Sequence, residues 1–141
     1  MKILIVDDDP NIVAFISKVA QAEGYTDIET AYSGEQALTQ AIHTRYHLIT
    51  LDILMSGTSG LDIVTFLRNM NPHAVIAVIS AHIPDEISAE INSCVDVMLS
   101  KPVDLNKFMH LFKCANQVKQ GLEDLQVIGV PRPLVVGVKM Q

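Results

Sequence analysis

Apolar residues fall along this chain in two alternating patterns. Short unbroken runs stand at Ile3–Val6, Leu48–Leu51, Ala74–Ile79 and Val97–Leu99. They are rich in Val and Ile and lack polar alternation, as expected of strands buried on both faces of a parallel sheet. A more polar stretch at Asp27–Ala31 reads as a fifth strand at an edge. The segments between them carry helical spacing. Ile12, Phe15, Ile16, Val19 and Ala20 share one helix face, and Gly24 ends that helix. Ser33 caps a second helix carrying Ala37, Leu38, Ala41 and Ile42. Leu61, Val64 and Leu67 mark a third, closed before Pro72. Residues 84–92 predict a thin fourth helix with Ile87, Ala89 and Ile91 as its apolar positions. Asp104 caps a fifth, with Leu105, Phe108, Met109 and Phe112 on one face.

Strand and helix thus alternate five times, which predicts an α/β fold: a doubly wound five-stranded parallel sheet with helices on both faces and right-handed crossovers. One domain is expected over residues 1–120. Residues 121–141, GLEDLQVIGVPRPLVVGVKMQ, break the pattern with two prolines and three glycines, and read as a C-terminal tail or linker.

Composition narrows the function. The 141 residues suit a single domain, and with 49% hydrophobic and 18% charged residues a core is affordable. A net charge of -6 argues against a nucleic-acid groove, because phosphate binding needs a basic face. Cys94 and Cys114 have neither metal-knuckle nor redox-pair spacing. The longest apolar run is far below membrane-spanning length, and no signal peptide precedes the first acids. A cytoplasmic domain without membrane contact is the expectation.

The strand ends carry the chemistry. The first strand runs into Asp7, Asp8 and Asp9; the third into Asp52; the fourth into Ser80; the fifth into Lys101. In an open parallel sheet ligands bind at the carboxyl ends of the strands. Two carboxylates about 4 Å apart repel by roughly 4 kcal/mol at an effective dielectric near 20, so such a cluster calls for a compensating cation. Carboxylates without nearby His or Cys favour Mg²⁺, with Mn²⁺ as a substitute, over Zn²⁺. An ammonium and a hydroxyl suit phosphoryl oxygens, and an aspartate can be the nucleophile that forms an aspartyl phosphate.

With these pieces in this order, the sequence resembles the receiver domain of two-component response regulators over about residues 1–119. Asp7-Asp8, Asp52 in LDILMSG, Ser80-Ala81 and Lys101-Pro102 carry the resemblance. It implies a flavodoxin-like fold with strand order 2-1-3-4-5. It implies Asp52 as phosphoacceptor, and a metal site of Asp7, Asp8, Asp52 and the Leu54 backbone carbonyl. Asp8 would bind the metal directly and Asp7 through water. Ser80, Ala81 and Lys101 would hold the phosphoryl group, and the bond before Pro102 would be cis. Asp9 would lead into the first helix. The implied partners are a histidine kinase or histidine phosphotransfer protein, a downstream target or output domain at the face of the fourth helix, fifth strand and fifth helix, and a second copy in a homodimer.

The sequence departs from the family pattern in places. Ser56 stands where proline is usual, Ser59 where aspartate is common and Cys94 where glycine is frequent. Met98 stands where an aromatic residue usually reports phosphorylation, and repacking of this flexible side chain is the expected readout. His82 is a candidate for tuning the phosphoryl lifetime by gating water. Two other readings stay open at this point. One is a haloacid-dehalogenase-type phosphatase, whose D-x-D signature Asp7 and Asp9 satisfy with Asp7 as nucleophile; it leaves Asp52 without a role. The other is a degenerate receiver that only binds partners.

Overall fold

The computed structural model describes residues 1–129. Five strands alternate with five helices: β1 Ile3–Val6, α1 Pro10–Ala22, β2 Ile28–Ala31, α2 Gly34–His43, β3 Leu48–Leu51, α3 Gly60–Met70, β4 Val75–Ser80, α4 Ala89–Cys94, β5 Val97–Ser100 and α5 Leu105–Ile128. The strands form one parallel sheet in the order β2-β1-β3-β4-β5. The polar strand β2 is at an edge, as its composition predicts.

Strand alternation divides the core in two. Ile3 and Ile5 point to one face and pack with α1 and α5, through Val13, Ile16, Phe108 and Phe112. Leu4 and Val6 point to the other, with α2 and α3, through Ala37, Ala41, Val64 and Leu67. Every residue of β1 and β3 is therefore buried, which is why both read as unbroken apolar runs.

The predicted caps form. Asp9 accepts the Asn11 N–H at 2.9 Å and Pro10 opens α1. Ser33 and Asp104 cap α2 and α5. Ser59 joins Asp62 in a reciprocal capping box that starts α3.

Two elements differ from the sequence reading. The fourth helix covers Ala89–Cys94 rather than 84–92, because Ser88 takes the N-cap position and its hydroxyl accepts the Ile91 N–H. The fifth helix does not stop near residue 120. It runs to Ile128, so 121–128 of the presumed tail are helical; the rest of that tail from residue 130 lies outside the described residues. Two i,i+4 contacts, Lys119 to Glu123 at 2.8 Å and Gln120 to Asp124 at 3.1 Å, carry the helix past Gly121.

Arg68 near the end of α3 fastens α4 to the body. Its Nε donates to the Cys94 carbonyl at 3.1 Å, one terminal nitrogen to the Ala74 carbonyl at 2.7 Å, and the other pairs with Asp96 at 2.7 Å.

At the top of β3 space is tight. A Cβ at Gly60 would lie 2.1 Å from the Asp52 carbonyl oxygen. Gly60→Ala is expected to cost 1–3 kcal/mol or more, as overpacking does, and to displace the Asp52 backbone; urea unfolding measures the first and amide chemical shifts of residues 51–54 the second.

Candidate functional site

The topology selects where the site lies. From β1 the chain goes to β2 on one side and to β3 on the other, opening a crevice at the carboxyl ends of β1 and β3. Val6 is in register with Leu51, so the next residues, Asp7 and Asp52, emerge side by side. Their backbones stay tied to the sheet: Asp7 N–H donates to the Ala31 carbonyl and Asp52 N–H to the Val6 carbonyl.

Asp7 and Asp52 are 3% and 4% exposed, while Asp8 is exposed. One carboxylate oxygen from each of the three lies within 4.8 Å of the others. Lys101 reaches in from the end of β5 and bridges the two buried acids, at 2.8 Å to Asp7 and 3.3 Å to Asp52. Each acid is also aimed by one backbone N–H: Asp9 N–H on Asp7, Leu54 N–H on Asp52 and Ser56 N–H on Asp8. The peptide bond between Lys101 and Pro102 is cis.

Three carboxylates against one ammonium leave the cluster negative. Burial, and then the charge of Asp7, push the Asp52 carboxyl above its ordinary value, against the opposing pull of Lys101 and the Leu54 N–H. Burial alone would lower the Lys101 ammonium, but Asp7 and Asp52 outweigh it and raise it. The ammonium therefore stays charged at neutral pH, and ionised Asp52 is held at a cost.

The donor set fits a hard divalent cation. It offers only oxygens, and no His or Cys joins this group. Asp7 already has Lys101 and the Asp9 N–H, whereas exposed Asp8 has one hydrogen-bond partner among the described residues and so is the less engaged of the two.

Ser80 ends β4 fully buried, and its hydroxyl accepts the His82 N–H at 3.4 Å rather than joining the ion-paired group. Ala81 follows it, exposed. Leu54 is 55% exposed at the mouth. Met98 pairs in register with Val78 and is half-buried; Val97 and Leu99 pack toward α1 and α5, so Met98 faces the α4 side. Asp9, the second acid of the D-x-D reading, spends its carboxylate on the α1 cap and lies outside the cluster. Asp7, the nucleophile of that reading, is the acid most closely engaged by Lys101.

The response regulator receiver domain model matches residues 3–113. The chain belongs to this receiver domain family. Among curated relatives, this receiver is 34% identical over 102 residues to the transcriptional regulatory protein PrrA of Mycobacterium leprae, and 29% identical over 108 residues to the response regulator ArlR of Staphylococcus saprophyticus. These matches take in 72% and 77% of the chain but 43% and 49% of the relatives, so the chain spans about half the length of the curated relatives it matches. Among solved structures, the response regulator TrrA of Thermotoga maritima, in complex with Mg²⁺ and BeF, is 34% identical with a TM-score of 0.71 over 82% of this chain and 99% of that one. A complex of TrrA with the histidine kinase ThkA matches at 33% identity and a TM-score of 0.70, over 82% and 98%. A receiver from Methanospirillum hungatei, at 22% identity and a TM-score of 0.77 over 85% and 97%, shares the fold.

The sequence did not reveal the backbone donors. Ser56 is the informative case: a proline there would have no N–H to give Asp8. Thr58, in the same loop, donates to Glu35 at 3.0 Å and so ties the loop to α2.

A raised acid makes stability fall as pH rises between the unfolded and folded values, so at neutral pH ionised Asp52 opposes folding. In chelator, Asp52→Asn is expected to melt a few degrees above wild type, and Mg²⁺ to raise the melting point of wild type far more than that of the variant. By carboxyl-carbon NMR, Asp52 should titrate above an ordinary aspartate without Mg²⁺ and move down when Mg²⁺ is added.

Proposed function

We propose that this receiver is a phosphoacceptor switch in which Asp52 takes a phosphoryl group from a phosphohistidine. The donor is a histidine kinase or a histidine phosphotransfer protein, and the reaction depends on Mg²⁺, which Mn²⁺ can replace. The observation that carries this reading is Asp52 buried in a three-carboxylate cluster with Lys101 beside it.

In the forward step an Asp52 oxygen attacks phosphorus, the P–N bond to imidazole breaks, and the leaving imidazole takes up a proton. Asp8, Asp52 and the Leu54 carbonyl would hold the metal, with Asp7 reaching it through water. Bound there, it would supply charge neutralisation at the phosphoryl oxygens. Lys101 pairs with one phosphoryl oxygen, the Ala81 backbone adjoins another, and the Ser80 hydroxyl exchanges its His82 contact for a third. The chain catalyses this transfer and the later hydrolysis on its own aspartate and needs no separate active site. His82 gates the water that ends the signal. Ser80 movement is read by Met98 on the α4 side, and the α4–β5–α5 face meets a downstream protein or output domain. Residues 1–120 form the receiver unit, and α5 continues past that boundary to Ile128. The protein works in the cytoplasm, without direct contact to nucleic acid or membrane; no described helix is long and apolar enough to cross one.

Support for the donor class comes from TrrA, whose structure includes a histidine kinase. Beside the acid cluster a cleft of about 560 Å³ is lined by Ile12, Phe15, Ala81, Pro102, Val103 and Phe108. Phe15 is 46% exposed at its rim. An apolar helix face of the donor protein fits this cleft and would bring its phosphohistidine to Asp52.

Acetyl phosphate with Mg²⁺, followed by intact mass, is expected to add one phosphoryl group to wild type. Asp52→Asn and Asp8→Asn should gain none; an adduct that persists in Asp52→Asn would sink the proposal. Asp9→Ala should still be phosphorylated while losing about 1 kcal/mol of stability with its cap. Phe15→Ala is expected to slow transfer from a protein donor at least about tenfold, as loss of an apolar anchor does, and transfer from acetyl phosphate far less. Equal slowing with both donors would remove the cleft from the account.

A further inference from the structure

The far end of the molecule carries an unfinished helix seam. Phe108, Leu111, Ala115, Val118, Leu122 and Leu125 succeed one another along α5 at alternating steps of three and four. That is the repeat of a helix packed against another helix. The first three are buried in the domain core. The next are not: Val118 is 44% exposed, Leu125 is 62% exposed and Leu122 is half-buried. The 24-residue helix is about 36 Å long at 1.5 Å per residue, and the 13 residues after Ala115 make up about 20 Å of it. This overhang passes the amino ends of β3 and β4, since Lys119 and Leu122 line a cleft of about 490 Å³ with His47 and Ala74.

We propose that the overhang of α5 is a homodimer interface in which the same segment of a second copy packs antiparallel, joining two domains base to base. Direction follows from the seam itself. Above Ala115 the stripe faces the protein's own core, so a parallel helix laid on its lower half would have to continue through that core. A helix arriving from the opposite direction meets no such obstacle, and a twofold axis supplies one from an identical chain. Charge agrees. The last turn of α5 contributes no basic residue against the partial negative charge of its carbonyl end. The antiparallel arrangement delivers that end to the other copy's basal cleft, where Arg45 adds a positive charge beside the Lys119–Glu123 ion pair. In a chain of net charge -6 this is a locally basic spot. The overlap is short, which sets the interface in the weak class.

The test uses the full chain, without Mg²⁺ or phosphoryl donor, so its outcome is independent of the chemistry at Asp52. Sedimentation equilibrium from low micromolar to submillimolar concentration should reveal a reversible dimer of the 15.5 kDa chain. Leu125→Asp, at an exposed position, should weaken it at least about tenfold. In a Cys114→Ser background, one tagged copy carrying Ile128→Cys and another carrying His73→Cys should form a mixed disulfide. A monomer at every concentration overturns the proposal, as does a dimer indifferent to Leu125→Asp. So does a disulfide that forms chiefly between two copies of Ile128→Cys, which would mean a parallel pair. So does a dimer that appears only after residues 130–141 are deleted, which would mean that the chain's own end covers the seam.

Discussion

Everything at the carboxyl edge depends on one ammonium placed between two buried carboxylates. Lys101 comes from the end of the edge strand β5, while Asp7 and Asp52 come from the ends of the adjacent interior strands β1 and β3. The three meet only if strand order and register are both right. The ion pairs offset part of the desolvation cost but not all of it, because two buried carboxylates share one ammonium and a third carboxylate stands beside them. That residue of uncompensated charge is what makes the place receptive. A site neutral at rest would have no reason to gather a divalent cation, and without one a dianionic phosphoryl group would be repelled. The fold stores a specific deficit of positive charge, and the chemistry consists of filling it.

Much of this was legible in the residues. Runs such as Ile3–Val6 and Leu48–Leu51 gave away their strands because burial on both faces leaves no polar position to blur the signal. Asp7, Asp8, Asp52 and Lys101 could be placed because a parallel sheet sends every strand end to the same edge. What could not be read is what sequence does not encode locally. The donors that aim Asp7, Asp8 and Asp52 are backbone N–H groups, one of them 48 residues away along the chain. The start of α4 turned on a single hydroxyl, Ser88, against weak apolar periodicity before it. Gly121 stands where the pattern breaks, yet two i,i+4 contacts that span it offset much of its cost of about 1 kcal/mol.

The molecule has two ends with different physics. At the carboxyl edge, polar groups converge on a small volume and the energetics are electrostatic. At the amino edge, α5 leaves the body as a helix whose apolar stripe outlasts the core that explains it. A helix continuous from Leu105, four residues beyond Lys101, to Ile128 is a stiff rod between these ends.

Arg68 has a mechanical consequence. It holds the last carbonyl of α4 and the Asp96 side chain in the turn into β5, whereas among the described residues no such side chain grips the approach to α4 from Ser80. Of its partners only the Cys94 carbonyl belongs to α4 itself. The short helix is therefore tethered at its carboxyl end, like a door on one hinge, and its amino end is the freer to move.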